Sequence, residues 1–554
     1  MRATAATAAA AATAVTKAAR ATKPTRATTT AVRALLGLVL LAAALTACTT
    51  DDDPVTLRVL ASPELADVAP LLRDLEDDTG VRLELDYRAN ADLAGQYPPD
   101  DSTPAHDLAW LASDRSFLLR VRDSDGRLTR PESTPVMRSP VVVGLAPATA
   151  RKLRVDAPGG RISWADVADA AADGTVRFGM ADPRRSDTGR AALVGVATAA
   201  AGTGSALREQ DVSCDRLRGF RSGQTLTAAS SRDLVDRYPG RQDDTNALIA
   251  HESELLTLNA SGRLRTPLEI VHPDDGMVLS DFPLLLLDPG KRQAYRETVD
   301  WLLTADTQRA LMERTHRRPV NQDVTPSGPL RTPVGNALSF PDRLSVVERL
   351  VTDYGDPGRP VADQVVFVLD FSTSMRGARM AGLRAAFEGL SGADDSATGK
   401  FARFFRGERL TVVRFGGRVL EERTVTVRGD ADLRDLNSVV ADGGYDDATA
   451  LWSALDRGYR IATDAVREDP DRPVAIVLMT DGENNAGIGY EEFLRRHRAL
   501  APESEAVPTF PVHLGEADAD ALRRAADATG GRMVDAGPTS LPDAFKEIRG
   551  CHRQ

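Results

Sequence analysis

Val365-Val366-Phe367-Val368-Leu369-Asp370-Phe371-Ser372-Thr373-Ser374 is the stretch that decides how this chain is read. Its first five residues are apolar, largely β-branched and uninterrupted, the pattern of a strand buried on both faces. The last five carry Asp370, Ser372 and Ser374 into a loop, and an Ala-rich helical stretch over 378–390 follows. Strand, loop and helix in that order put the loop at the carboxyl end of a parallel strand, where open α/β sheets hold their ligands. A carboxylate and two hydroxyls are oxygen donors of the kind that hard divalent cations take.

Two later segments repeat the arrangement. In Gly443-Gly444-Tyr445-Asp446-Asp447-Ala448-Thr449-Ala450-Leu451-Trp452 a glycine pair permits a sharp loop, and Thr449 stands just before an amphipathic helical stretch. A second buried-strand run, Val474-Ala475-Ile476-Val477-Leu478-Met479, ends in Thr480-Asp481-Gly482 and brings another carboxylate to the same sheet edge. Five oxygen-bearing side chains are therefore expected to meet from three loops. Asp-x-Ser-x-Ser alone is a common turn composition, since both residue types bond to local backbone; its occurrence with the other two loops is what makes it a ligand set. The Asp446-Asp447 pair reads as loop solvation or as extra charge beside the ion.

These residues closely resemble the von Willebrand factor A family and its metal-ion-dependent adhesion site, whose pattern is Asp-x-Ser-x-Ser, a Thr in a Gly-rich loop and a later Asp-Gly. The resemblance covers residues 362–550. It includes a central strand at Leu410-Thr411-Val412-Val413-Arg414-Phe415, a later one at Phe510-Pro511-Val512-His513-Leu514-Gly515, and a helix ending at Thr529-Gly530-Gly531. It implies a Rossmann-like α/β domain with a mostly parallel central sheet flanked by helices. It also implies Mg²⁺ or Mn²⁺ held directly by Ser372, Ser374 and often Thr449, with Asp370 and Asp481 acting mostly through water, and a coordination position left for the acidic group of a protein partner. Mg²⁺ sheds its waters reluctantly and wants octahedral oxygen ligation, so few direct carboxylates leave it electrophilic toward an incoming one.

The other end of the chain addresses location. Residues 34–45 form a short apolar run preceded by Arg26 and Arg33, too short for a mature membrane span and built like a secretory signal. The run closes on Leu45-Thr46-Ala47-Cys48, which resembles the lipobox of bacterial lipoproteins and implies acylation of Cys48. Two acyl chains suffice for stable anchoring where one is marginal. Residues 1–48 are thus a signal peptide with lipobox, and 49–54 a polar tether. The expected location is the outer face of the cell membrane. The formal net charge of −11 and the lack of a basic patch with aromatics argue against nucleic-acid binding. High Ala, Arg, Asp and Gly with little Lys suggests a GC-rich genome. Cys214 and Cys551 remain after lipidation; outside the cell they pair or stay as two inert thiols.

Residues 55–320 form a second body. Val55-Thr56-Leu57-Arg58-Val59-Leu60-Ala61-Ser62, a helical stretch over 63–79, and Val81-Arg82-Leu83-Glu84-Leu85-Asp86-Tyr87 make a βαβ unit. His106-Asp107-Leu108-Ala109-Trp110-Leu111-Ala112-Ser113 is a further strand with a Ser-bearing loop, and Ser139-Pro140-Val141-Val142-Val143-Gly144-Leu145 carries the chain into a second lobe. Ile162-Ser163-Trp164, Met180-Ala181-Asp182-Pro183 before Ser186-Asp187-Thr188-Gly189-Arg190, a returning strand over 281–288 and a closing helix over 294–311 complete the series. This order resembles the two-lobed type II extracellular solute-binding proteins, which implies a cleft for a small solute. Its expected walls are Ser62, Ser113, Ser186, Thr188 and Gly189, whose hydroxyls and helix-start N–H groups suit anions or polar ligands. Ser186 and Thr188 serve equally well as helix caps. Residues 321–361 read as a linker rich in Pro, Ser, Thr and Gly, with a short helix over 344–351 docking one body on the other.

No enzymatic motif emerges: HExxH, GxSxG and zinc-spaced Cys/His clusters are all missing. The expectation is a membrane-anchored binding protein that catalyses nothing. Two alternatives use the same residues: a receptor for an ABC importer whose C-terminal domain docks or regulates the permease, and a cell-envelope assembly factor.

Overall fold

The computed structural model describes residues 54–88, 104–124, 126–202, 205–357, 364–394, 403–441, 443–470, 472–513 and 518–535. The residues read as a signal peptide, Cys48 and Cys551 lie outside them. Among the described residues no helix is long and apolar enough to cross a membrane.

The chain opens with β1 (Val55–Ala61), β2 (Val81–Tyr87), β3 (Leu108–Trp110) and β4 (Glu132–Pro135). It then builds β5 (Ser139–Leu145), β6 (Phe178–Ala181), β7 (Gln224–Ala228), β8 (Ala247–His251), β9 (Glu269–Val271) and β10 (Leu279–Ser280) before returning as β11 (Pro283–Leu286). Two sheets result, ordered β2-β1-β3-β11-β4 and β10-β5-β8-β6-β7, the latter with β9 paired to β5. Each lobe has its own apolar core: Leu57, Val59, Trp110 and Leu284 in the first, Val141, Trp164, Phe178 and Ile249 in the second. The returning strand lies antiparallel to both β3 and β4.

Two sequence expectations are refined. The stretch 63–79 is a 3-10 helix (Pro63–Leu71), with Pro70 near its end, followed by an α-helix (Leu72–Thr79). The single closing helix is two, Arg292–Leu302 and Ala305–Thr315, with Thr304 capping the second through Thr307 N at 3.3 Å. Within 321–361, the helix Leu344–Tyr354 buries Val346, Leu350 and Tyr354 in the core of the second lobe. Arg221 donates to the Tyr354 carbonyl at 3.0 Å and fastens its end.

The C-terminal sheet is built from β12 (Gln364–Asp370), β13 (Arg409–Phe415), β14 (Val419–Thr426), β15 (Val474–Thr480), β16 (Thr509–His513) and β17 (Val534–Asp535). Its order is β14-β13-β12-β15-β16-β17, parallel throughout except for the β13–β14 edge pair. Strand alternation sends Val365, Phe367 and Leu369 into one core and Val366 and Val368 into the opposite one. Each such side chain contributes roughly 1.5–3 kcal/mol by leaving water, which fixes β12 at the centre and its register with β13 and β15. Helix Ala378–Glu388 covers the first face with Met380, Leu383 and Phe387, and helix Leu451–Glu468 covers the second. Gly458 lets the latter close in: a Cβ there would stand 3.0 Å from Val368 Cγ2.

Candidate functional site

Because β12 and β15 run parallel with Leu369 opposite Met479, their ends deliver Asp370 and Asp481 to the same edge of the sheet. The loop after Asp370 tightens into a 3-10 turn over Thr373–Met375, and Gly377, at φ 85°, redirects the chain into its helix. The third loop is drawn in by backbone pairing. Asp446 N donates to Phe371 O at 3.0 Å, and Thr373 N donates to Asp446 O at 2.8 Å. Gly416 makes room for it, since a Cβ there would lie 2.3 Å from Asp446 Cβ. Thr449 is then set by Asn485, whose Oδ1 accepts from Thr449 N at 2.8 Å and whose N donates to Thr449 O at 3.0 Å.

The five expected side chains meet. Ser372 Oγ lies 2.9 Å from Ser374 Oγ, which donates to Asp481 Oδ1 at 2.8 Å. Asp370 accepts from Ser372 N at 2.7 Å and from Thr480 Oγ1 at 2.6 Å. Gly482 shows where Thr449 points: a Cβ on Gly482 would be 3.3 Å from Thr449 Oγ1 and 3.7 Å from Ser374 Oγ. Asp370, Ser372, Thr449 and Asp481 are buried while Ser374 is exposed, so the cluster opens on the Ser374 side. Burial pushes the Asp370 carboxyl above its usual range; the Thr480 and Ser372 hydrogen bonds pull against this, and the nearby Asp481 charge adds to it. Among the described residues no three His, Cys, Asp or Glu side chains gather as a metal cluster. The donor set here is instead two carboxylates and three hydroxyls, which fits an oxygen-seeking Mg²⁺ or Mn²⁺ and not a soft ion.

Asp446 and Asp447 stand beside this cluster and tie its loops: Thr373 Oγ1 lies 2.7 Å from Asp447 Oδ1 and 3.1 Å from Asp446 O. Two residues went unnoticed in the sequence. Thr480 caps the buried Asp370 and could have been found as the hydroxyl ending the second strand. Arg379, whose guanidinium meets Asp481 and donates to Ser374 O at 3.3 Å, gave no signal beyond its place in a helical run.

The residues expected to wall a solute cleft are distributed differently. Ser62 Oγ accepts from Ala112 N at 3.0 Å and so ties its loop to the one after β3, while Ser113 Oγ accepts from Arg115 N at 3.3 Å within its own loop. Gly189 permits close packing, since a Cβ there would lie 2.4 Å from Ala181 O. Ser186 holds the N-cap position of helix Asp187–Ala201 but makes no side-chain cap bond, and Thr188 Oγ1 is buried without a hydrogen-bond partner. Both line a space between the lobes, opposite Glu64 and Ala112, whose volume of about 10 Å³ holds one water at most.

Glu64 closes this space. From the first lobe its Oε1 accepts from Ser231 N at 3.2 Å and lies 2.9 Å from Ser231 Oγ in the second. That same hydroxyl is 3.0 Å from Glu254 Oε1, while Glu254 Oε2 meets His251 Nδ1 at 3.0 Å. The Ser231 hydroxyl has one proton to place between the two carboxylates. Burial, with Glu254 adding, pushes Glu64 up; burial acts the same way on Glu254, but His251 and Ser231 outweigh it and hold Glu254 below its usual range.

The fold and site define a two-lobed binding-protein domain joined to an α/β domain with an oxygen-rich loop cluster. Residues 57–314 match the bacterial extracellular solute-binding protein family, and residues 364–545 match the von Willebrand factor type A domain. The chain is a fusion of these two domains. Solved structures similar to it include iron-bound HitA from Pseudomonas aeruginosa (16% identity, 55% of this chain and 100% of that one, TM-score 0.42). A periplasmic thiamin binding protein (11%, 54% and 95%, 0.42) and the periplasmic binding protein AfuA from Actinobacillus pleuropneumoniae with exogenous fructose-6-phosphate bound (14%, 54% and 97%, 0.40) are also similar. No curated protein matches the chain significantly.

Proposed function

We propose that this is a non-enzymatic binding protein of the cell exterior whose von Willebrand domain holds Mg²⁺ or Mn²⁺ and, through it, the carboxylate of a partner protein. Ser372, Ser374 and Thr449 are the direct ligands in this reading, and Asp370 and Asp481 act through water. The ion supplies a positive, Lewis-acidic centre on a surface that otherwise presents hydroxyls. The chain's own residues hold the hydroxyls in place, keep two carboxylates buried behind them and leave Ser374 open to a partner. The observation that carries the reading is the meeting of Ser372, Ser374 and Asp481 within hydrogen-bond distance, with Thr449 facing them across Gly482.

The solute-binding-like module acts in this proposal as a second recognition body for a small solute or for the partner. Acylation at Cys48 anchors the chain to the outer face of the membrane. Cys214 is disulfide-bonded, which supports an oxidising compartment. Calorimetric titration of Mn²⁺ and Mg²⁺ into the full chain tests the metal, with Ser374→Ala as the comparison. Capture from envelope extracts with and without chelator then tests the partner. Heat of binding in the wild type, lost in the variant, and a captured protein released by chelator are expected; no binding of either ion by the wild type or by any variant that keeps the five site side chains ends the proposal.

A further inference from the structure

Arg379 stands in the first turn of helix Ala378–Glu388, where the positive end of the helix dipole disfavours a cation. Its place is therefore explained by what it touches. The guanidinium pairs with Asp481 Oδ2 and donates to the Ser374 carbonyl at 3.3 Å, while Asp481 Oδ1 takes the Ser374 hydroxyl at 2.8 Å. One of the two site carboxylates is thus shared between a cation of the chain itself and the hydroxyl ligand set. The two partners differ in freedom. The Asp481 side chain is 0% exposed and fixed at the strand end, whereas Arg379 is 37% exposed on a flexible stem and can swing into water. The neighbouring Arg376 is differently engaged, over the Tyr445 ring at 4.9 Å.

A divalent ion arriving among Ser372, Ser374 and Thr449 meets this tethered positive charge. It gains the full negative charge of Asp481 only when the guanidinium leaves, because like charges a few ångströms apart repel and a carboxylate oxygen paired with Arg is not available to orient a metal-bound water. We propose that Arg379 is a tethered competitor for the divalent ion: it neutralises Asp481 until the ion loads, must be displaced as it does, and so sets the ion concentration at which the site fills. This rests on the metal reading of the site. It adds a threshold to it, so that the site fills at a higher ion level than it would without the guanidinium.

The test is direct measurement of Mg²⁺ and Mn²⁺ affinity on the full chain by calorimetry, for the wild type, Arg379→Gln, Arg379→Met and Arg379→Lys. Glutamine and methionine keep the stem and remove the charge; lysine keeps the charge. Removal of the charge is expected to tighten both ions about tenfold, equivalent to about 1.4 kcal/mol, with lysine staying near the wild type. Binding seen only in the two neutral variants also supports the proposal. Equal or weaker binding in both neutral variants overturns it and leaves the metal site standing. Absence of binding in the wild type and all three variants overturns the metal reading and this inference together.

Discussion

Asp370→Asn separates what the buried carboxylate does for the fold from what it does for the ion. The side chain is fully buried, accepting from Thr480 Oγ1 at 2.6 Å and Ser372 N at 2.7 Å, and its burial and the neighbouring Asp481 make the ionised form costly. Asparagine has nearly the same shape. Its oxygen still accepts from Ser372 N, and its amide can donate to Thr480 Oγ1, whose own proton turns to Gly482 O, now 3.4 Å away. Without metal, the variant is therefore expected to melt no lower than the wild type. With Mg²⁺ at a hundred times its dissociation constant, the wild type gains about 2.7 kcal/mol, or about 5–10 °C at the 2–4 °C per kcal/mol typical of 150–250 residues. Losing a carboxylate that acts through water weakens an ion by up to about a hundredfold. The variant's gain at the same Mg²⁺ then shrinks to RT ln 2, about 0.4 kcal/mol or about 1–2 °C. Differential scanning calorimetry with and without Mg²⁺ on both proteins reads the four melting points. Equal Mg²⁺ shifts in the two proteins, or none in either, refute the reasoning.

Gly482→Val tests the convergence from another side: its methyls would crowd Thr449 Oγ1, 3.3 Å from the Cβ position, so Mn²⁺ affinity measured by calorimetry should fall more than about tenfold. The lobe contact carries a pH dependence whose sign follows from Glu64. Its folded pKa is raised, chiefly by burial and then by Glu254, so its stabilisation is full below the unfolded value near 4.5 and is lost as pH rises through the raised folded value. Glu64→Gln keeps a hydrogen-bonding head without titrating. Hydrogen exchange at Ser231 and its neighbours should accelerate with pH beyond the intrinsic trend in the wild type and lose that excess in the variant; parallel pH profiles would remove Glu64 as the cause.

How much of this was legible in the sequence depends on how local the cause is. The run Val365–Leu369 could be recognised because burial on both faces leaves an uninterrupted apolar signature, and the site followed because each oxygen ligand sits directly after such a strand. The two-part closing helix was not legible, since Thr304 caps it with a residue that also fits mid-helix. Nor was the docking of Leu344–Tyr354 into the second lobe specified, because an amphipathic stripe shows that a helix packs and not against what. The expected cleft walls relied on small polar residues near strand ends. Ser62 braces the loop after β3 and Ser113 its own loop, and Glu64, which reaches between the lobes, is an acid after Pro63 that reads from sequence as an ordinary helix start.

The two domains treat buried acids in opposite ways, and the contrast explains why one is proposed to take a cation. At the lobe contact, two glutamates share the hydroxyl of Ser231, and burial pushes Glu64 toward its neutral form. At the loop cluster, Asp370 and Asp481 are kept apart by separate hydrogen bonds, and hydroxyls on Ser372, Ser374 and Thr449 stand in front of them. Hydroxyls stabilise nearby carboxylates without neutralising them, so residual negative charge remains behind an oxygen-lined face open on the Ser374 side. Arg379 takes part of that charge through Asp481, but Asp370 receives no guanidinium among the described residues. In the proposed reading, a divalent ion arriving at this face would offset the cost that burial places on the ionised form of Asp370.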